Sequence, residues 1–389
     1  MKIHIKKRYI AAAVVNAAVL AAMAVLTAVG SSMAKTQSSN MAARRWGGDE
    51  DFTQMSCFFS EDAGFSTNNL SSVYGQMLAE LKTASVEPEE GKKLIPQAYS
   101  TPLGKQLVTC DITGRSDADV TVAGGDFFLF HDFRLLNGSY FRSEDTMQDG
   151  AVIDKTLAWR LYGSTDIAGK NIYINNVKLY VSGVIDVPDS SAEEKCIGDL
   201  PKAYISYETA GKLSSPNISP ASGVRDAMDD FPMEDDLSPS AAKFTRITCY
   251  ECILPEPVSS FAENTTEKIF SEAYRGKIDI VNNTERFEPK KRAKAFGKLY
   301  KSVIKDSAVC YPFWENASRI VEFRLSCIYG VRRLLTIIPV VTGLWLLVKG
   351  YLLFRRKKHL IRRKISALAG RLKGLFRYNK KPAGPDNAA

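Results

Sequence analysis

The sequence predicts an α+β fold: an extracytoplasmic mixed α/β domain with a small inserted subdomain, flanked by two transmembrane helices. Three observations carry this. Two long apolar runs lie near the ends of the chain, an uncharged one at 9–30 and one at 334–354 whose single charge is Lys349. Basic residues crowd the chain-terminal side of each run. Between them a strand pattern, an amphipathic helix pattern and further strand patterns follow one another, the order expected of a sheet with a helix on one face. The chain as a whole is 45% hydrophobic and 24% charged, so its membrane character is confined to those two runs.

Residues 1–8 carry Lys2, Lys6, Lys7 and Arg8 and are expected in the cytoplasm. The run 9–30 has Asn16 as its single strongly polar side chain, and about 20 apolar residues suffice to span a bilayer. Ser32-Met33-Ala34 resembles a signal-peptidase site, whose use would leave one span. The apolar run exceeds the usual signal core, which favours a retained anchor. The second run, 334–354, contains Pro339, which neighbouring groups in a membrane can accommodate, and Lys349, which can extend to the headgroups. Arg355, Arg356, Lys357 and Lys358 outnumber Arg332 and Arg333 on the other side. Both termini are therefore expected inside and residues 31–333 outside.

Within 31–333, residues 31–50 are small and polar and suit a linker leaving the membrane. Phe52–Ser60 reads as a strand. Leu70, Val73, Met77, Leu78 and Leu81 predict a helix with Asn69 as N-cap. Strands are expected at Gln106–Thr113, Asp119–Ala123 and Ala151–Asp154, the last leading into a helix at Thr156–Tyr162. Asn175-Asn176 joins strands Asn171–Ile174 and Leu179–Ile185 as a hairpin, since Asn tolerates the positive φ of primed turns. Ala203–Tyr207 is another strand. Residues 213–240, rich in Ser, Pro and Asp, are expected to form a mobile insertion. Strand character returns at Phe244–Leu254 and Ile278–Asn282, with a helix at Val258–Phe270 between them. A basic helical stretch from Lys290 leads into the second span.

The tail 355–389 holds twelve Lys and Arg against Asp386 alone, which leaves the region between the termini net acidic. The net charge of +9 thus reports topology and does not argue for nucleic-acid binding. Ile361, Ile365, Leu368, Leu372 and Leu375 share one helical face, so the tail is expected to be a basic amphipathic helix suited to anionic lipid or to a partner's groove.

No catalytic, cofactor-binding or metal-binding residues are nominated, and an enzyme is not expected. No P-loop is present, and Gly91-Lys92 and Gly104-Lys105 lack its remaining residues. His131 is the sole histidine between the spans, and its setting, FFLFHDFRLL, favours packing over catalysis. Seven cysteines are present. Cys249-Tyr250-Glu251-Cys252 has redox or half-zinc spacing, yet no second pair or nearby histidine completes a site. The acidic run Glu234-Asp235-Asp236 belongs to the polar insertion.

Residues 122–186 carry a family resemblance. Asp126, Phe127, Phe128, then Leu135, Gly138 and Phe141, are followed by Ala151–Asp154, Leu161-Tyr162-Gly163, Asp166, Gly169-Lys170, and Val181, Gly183 and Val184. This pattern resembles the extracytoplasmic core domain of the MacB/FtsX-like ABC transporter permeases. It departs at Ser139, where the family has arginine. The glycines suit turns or close approaches, and none of the positions is a catalytic group, so the motif specifies a fold. Permeases of this family usually have three spans after the domain, where this chain shows one and then a charged tail. The resemblance implies a subunit of a transporter or mechanotransmission complex, partnered by an ABC ATPase and another permease subunit. The alternative is a membrane-tethered binding or scaffold protein without ATPase coupling.

Overall fold

The computed structural model describes residues 7–48, 51–87, 93–188, 190–214, 244–298, 308–309 and 311–356. The first six residues, the expected insertion beyond 214, Cys310 and the expected tail helix beyond 356 lie outside the described residues. The chain divides into two compact units, Met1–Thr27 with Val331–Ala389, and Ala28–Gly330.

The first unit holds the apolar stretches of two long helices. α1 spans Lys7–Lys35, and the second apolar helix spans Phe313–Arg356; both are long and apolar enough to cross a membrane. Tyr9, Ala12, Asn16, Val19, Met23 and Leu26 alternate at steps of three and four and are half-buried in α1, the spacing of a helix-pairing seam. Asn16 sits in that seam. Its Oδ1 accepts from Thr342 Oγ1 at 2.9 Å, and its Nδ2 donates to Ala12 O. Tyr9 and Trp345 lie 5.6 Å apart, with Lys349 over the Trp345 ring.

The second unit is built on one sheet. Its strands are β1 (Phe52–Phe59), β2 (Gln97–Cys110), β3 (Arg115–Gly125), β4 (Arg134–Gly138), β5 (Gly150–Asp154), β6 (Asn171–Ile174), β7 (Val177–Asp186), β8 (Lys202–Ile205), β9 (Cys249–Pro255) and β10 (Ile278–Asn282). They follow the order β10-β1-β9-β2-β3-β8-β5-β7-β4, with β6 bridging β2 and β7. The β3/β8 and β5/β7 pairs are parallel and the others antiparallel.

On one face α3 (Leu70–Thr83) and α8 (Phe261–Phe270) cover β1 and β9, with Met77, Leu81, Phe59, Phe65 and Phe270 at the centre. On the other lie α2 (Ala42–Gly47), α4 (Phe127–Phe130) and Trp314, at the start of α10 (Phe313–Leu335). The β5–β7 half has its own apolar core around α5 (Lys155–Tyr162). There Asp154 accepts from Leu157 N as N-cap, and Gly163 closes the helix in the left-handed region. Shorter helices α6 (Glu193–Cys196), α7 (Tyr207–Ser214) and α9 (Pro289–Ala295) complete the unit.

Several expectations need correction. Residues 31–48 are not a free linker. α1 continues to Lys35, and Gln37, Ser39, Asn40, Ala42 and Ala43 are buried. Asn69 does not cap α3; a capping box at Ser66 starts the turn before it, with Asn69 Oδ1 accepting from Ser66 N. β2 begins nine residues before Gln106, through a bulge between Pro102 and Gly104 that hides its alternation. It ends at Cys110, short of Thr113. Tyr207 opens a helix, and β9 begins at Cys249, not Phe244. The Asn175-Asn176 hairpin forms as expected, both residues at positive φ.

Candidate functional site

The segment that follows α1 and the helix that leads to the second apolar run meet inside the domain. A chain of buried side chains joins them to the sheet. Asn40 Nδ2 donates to Ser318 Oγ on α10 at 2.7 Å, and Ser318 Oγ donates to Gln37 Oε1 at 3.1 Å. Gln54, fully buried on β1, donates to Ser39 O and accepts from Ala42 N. Burying an amide requires partners of this kind, because an unpaired polar group in an apolar interior costs about 1–3 kcal/mol. Arg45 extends the clamp, donating to Ser38 O, Leu129 O and Phe130 O.

His131 stands at the centre. It is wholly buried, between Phe127 at 4.3 Å and Trp314 at 4.4 Å. Nδ1 lies 3.2 Å from Ser39 Oγ, and Nε2 lies 2.8 Å from Glu251 Oε2. A Ser-His-Glu order invites comparison with a nucleophile and its base. Ser39 and Glu251 are buried too, and none of the three lines the clefts described below.

Glu251 continues the chain of contacts. It accepts from Ser56 Oγ at 2.8 Å, which in turn accepts from Asn283 Nδ2 at 2.6 Å. Asn283 leads to Arg286, whose guanidinium makes a two-bond fork with Glu315 at 2.7 and 2.9 Å and bonds Glu322 at 3.0 Å. Burial works against the charge of Arg286, but Glu315 and Glu322 outweigh it and hold the guanidinium above its ordinary pKa. Burial likewise works against ionised Glu322, and Arg286 and Arg292 overcome it, so its carboxyl lies below the usual range. Arg319 completes the cluster, bonding Asp279 at 2.6 Å and stacking over Tyr311 at 3.9 Å. Its Nε also lies 2.6 Å from Glu315, off the line of a hydrogen bond.

The two cysteines of the Cys-x-x-Cys spacing do not meet. Strand alternation turns Cys249 toward the α2 and α4 face and Cys252 toward the α3 and α8 face. Burial pushes both thiols well up, as it does Cys57, which leaves them poor nucleophiles. The residue of that tetrapeptide that matters is Glu251, which shares the face of Cys249 and reaches His131. The signal for it was a lone carboxylate inside an apolar strand.

The motif residues of 122–186 also have physical roles. Gly138 has φ +76°, and a Cβ there would lie 2.2 Å from Ser182 O. A Cβ on Gly183 would lie 2.5 Å from Ser139 O. At Ser139 the structure uses the backbone, its N–H donating to Ser182 O at 2.8 Å, so serine serves where the family has arginine. Asp126 accepts from Lys93 and from Gln97 N and anchors the turn into α4.

Beside that turn lies a groove of about 910 Å³, walled by Phe128, Tyr140, Phe141, Tyr74 and Lys93. Phe128 stacks on Tyr140 at 4.5 Å.

Residues 10–229 match the MacB-like periplasmic core domain. The chain belongs to that family. It is a membrane protein with an extracytoplasmic domain of the kind found in ABC-type transporter permeases. Two curated relatives are macrolide export ATP-binding/permease proteins MacB. The protein from Pasteurella multocida is 29% identical over 106 residues, 27% of this chain and 14% of its own length. The one from Nitrobacter winogradskyi is 33% identical over 73 residues, 18% and 11% respectively. The aligned part is thus a small fraction of either relative.

Among solved structures, the extracellular domain of the noncanonic ABC-type transporter YknZ is 12% identical with a TM-score of 0.37, covering 59% of this chain and all of that one. The periplasmic region of MacB from Actinobacillus actinomycetemcomitans is 16% identical with a TM-score of 0.36, covering 64% and 95%. The family assignment rests on the sequence match. In this MacB-like chain the matched stretch supplies Ser39, Gln54 and His131, whereas Glu251, Arg286 and Glu315 lie beyond residue 229.

Proposed function

We propose that this chain is a non-catalytic membrane subunit of an ABC-type transporter or mechanotransmission complex, working with an ATPase and a second permease subunit supplied by other chains. The observation that carries the reading is the buried polar junction. The two segments continuous with the apolar helices, 36–48 and α10, share Ser318, Gln37 and Asn40 and are bonded to the sheet through Gln54 and Arg286. Displacement of either helix would then be felt by the domain, because paired buried groups resist separation. A mere tether has no need of such a junction. Both termini are cytoplasmic in this reading, with the basic tail on anionic lipid.

Gentle detergent extraction of the full chain from native membranes, followed by identification of what co-purifies, tests it. An ATP-binding-cassette subunit should be recovered, and lost when residues 355–389 are deleted. Recovery of the intact chain with no ATPase would overturn the proposal. The aromatic groove beside Phe128 and Tyr140 favours the second reading, a tethered binding protein without ATPase coupling, which that result would leave standing.

A further inference from the structure

We propose that the cleft between α9 and α10 binds the phosphate headgroup of an anionic phospholipid. The cleft holds about 480 Å³ and is walled by β10, α9 and α10. Its carboxylates are already committed: Glu322 to Arg286 and Arg292, Asp279 to Arg319, and Glu285 to Lys291. The cations left over are Lys298 in the cleft wall and Lys290 and Lys294 on the same basic turn, all exposed and with no ion-pair partner among the described residues. Arg292 contributes a buried Nε with no hydrogen-bond partner. Donors in surplus over acceptors call for an anion rich in oxygen.

The position of the turn selects the source of that anion. Phe296 packs against Gly330, where a Cβ would lie 2.2 Å from its ring. Gly330 stands about one helical turn before Leu334, where the apolar run begins. Within the same unit Tyr329 closes on Gly30, near the end of the apolar run of α1. The lysines are therefore held, within this unit, beside Gly330 and the chain that continues directly into the second apolar run, which puts them near headgroup depth. Phe323, 41% exposed in the cleft wall, offers an apolar contact of the kind an acyl chain accepts. A basic surface at that depth attracts anionic lipid.

The test uses the full chain in phosphatidylcholine vesicles containing a photoactivatable phosphatidylglycerol, with labelled peptides mapped after irradiation. Adducts are expected on 289–298 and on α10. Each substitution among Lys290→Gln, Lys294→Gln and Lys298→Gln should reduce them about fivefold, while labelling of the basic tail stays constant as an internal control. Absence of adducts on 289–298, or labelling unchanged in the triple variant, would overturn the proposal. Loss of labelling on adding inorganic phosphate would overturn it too, since the cleft would then be a site for a soluble phosphate.

Discussion

The two halves of the sheet are held by opposite means. Around α5 the core is apolar, with Leu157, Ile153, Val181 and Ile205 fully buried, and its strength is the area removed from water. Around α10 the interior is charged and hydrogen-bonded, with Arg286, Glu315, Glu251 and His131 all buried. Apolar packing yields to a lost methyl group gradually. A buried ion network fails sharply when one partner goes, because the remaining charge has no solvent. The difference places rigid, partner-specific bonding where the chain enters and leaves the domain, and forgiving packing elsewhere.

The comparison can be broken most forcefully at Arg286. Arg286→Met should destabilise the domain by about 3–5 kcal/mol in denaturant titration, because Glu315 loses its fork. Adding Glu315→Leu should recover most of that loss. If the single and double variants unfold alike, the junction is not held by charge. In the other half, Leu157→Ala should cost about 2–4 kcal/mol through the cavity it leaves, with no rescue from a charge change elsewhere.

Acid sharpens the contrast. Glu322 has its carboxyl below the ordinary range, so its contribution is present above the unfolded-state value of about 4.3 and is lost as pH falls through the lower folded value. Asp154, the N-cap of α5, is raised by burial. Its protonated form is favoured in the fold, so its contribution is present below the unfolded value of about 3.9 and is lost as pH rises through the folded one. Glu322→Gln should therefore flatten the acid loss of stability, and Asp154→Asn should steepen it, in thermal melts between about pH 2 and about pH 6, roughly two units either side of those values. The smallest effect belongs to the membrane helices. Asn16→Leu removes the bond to Thr342, and a double-mutant cycle with Thr342→Val in lipid should show a coupling of about 0.6 kcal/mol.

The apolar elements were legible because they carry periodicity, in both halves of the sheet. The Asn175-Asn176 hairpin, the α5 helix after Asp154 and the α3 stripe follow from spacing alone. The junction was not, and the reason is physical. Gln37, Ser39 and Asn40 look like linker residues until Ser318, 278 residues beyond Asn40, supplies a partner. A buried polar side chain has no period; it is defined by what it meets. The apolar setting of His131 predicts a packed ring, and the ring is buried, but the carboxylate it meets, Glu251, lies between two cysteines and carries no periodic signal of its own. The Ser66 capping box is hard to read because a tight turn precedes the apolar stripe of the helix.

The pairing of β1 has a consequence for how the polypeptide is made. Ser56 finds Glu251 195 residues later and Asn283 227 residues later. β1 is among the first parts of the domain to leave the ribosome, and its neighbours β9 and β10 are among the last. Until they arrive, a strand containing Met55, Phe58 and Phe59 waits with both edges open, the situation in which nascent chains associate wrongly. Chains interrupted before residue 250 should therefore depend on holding chaperones, and assembly of the sheet should be a late, slow event governed by closing that long loop.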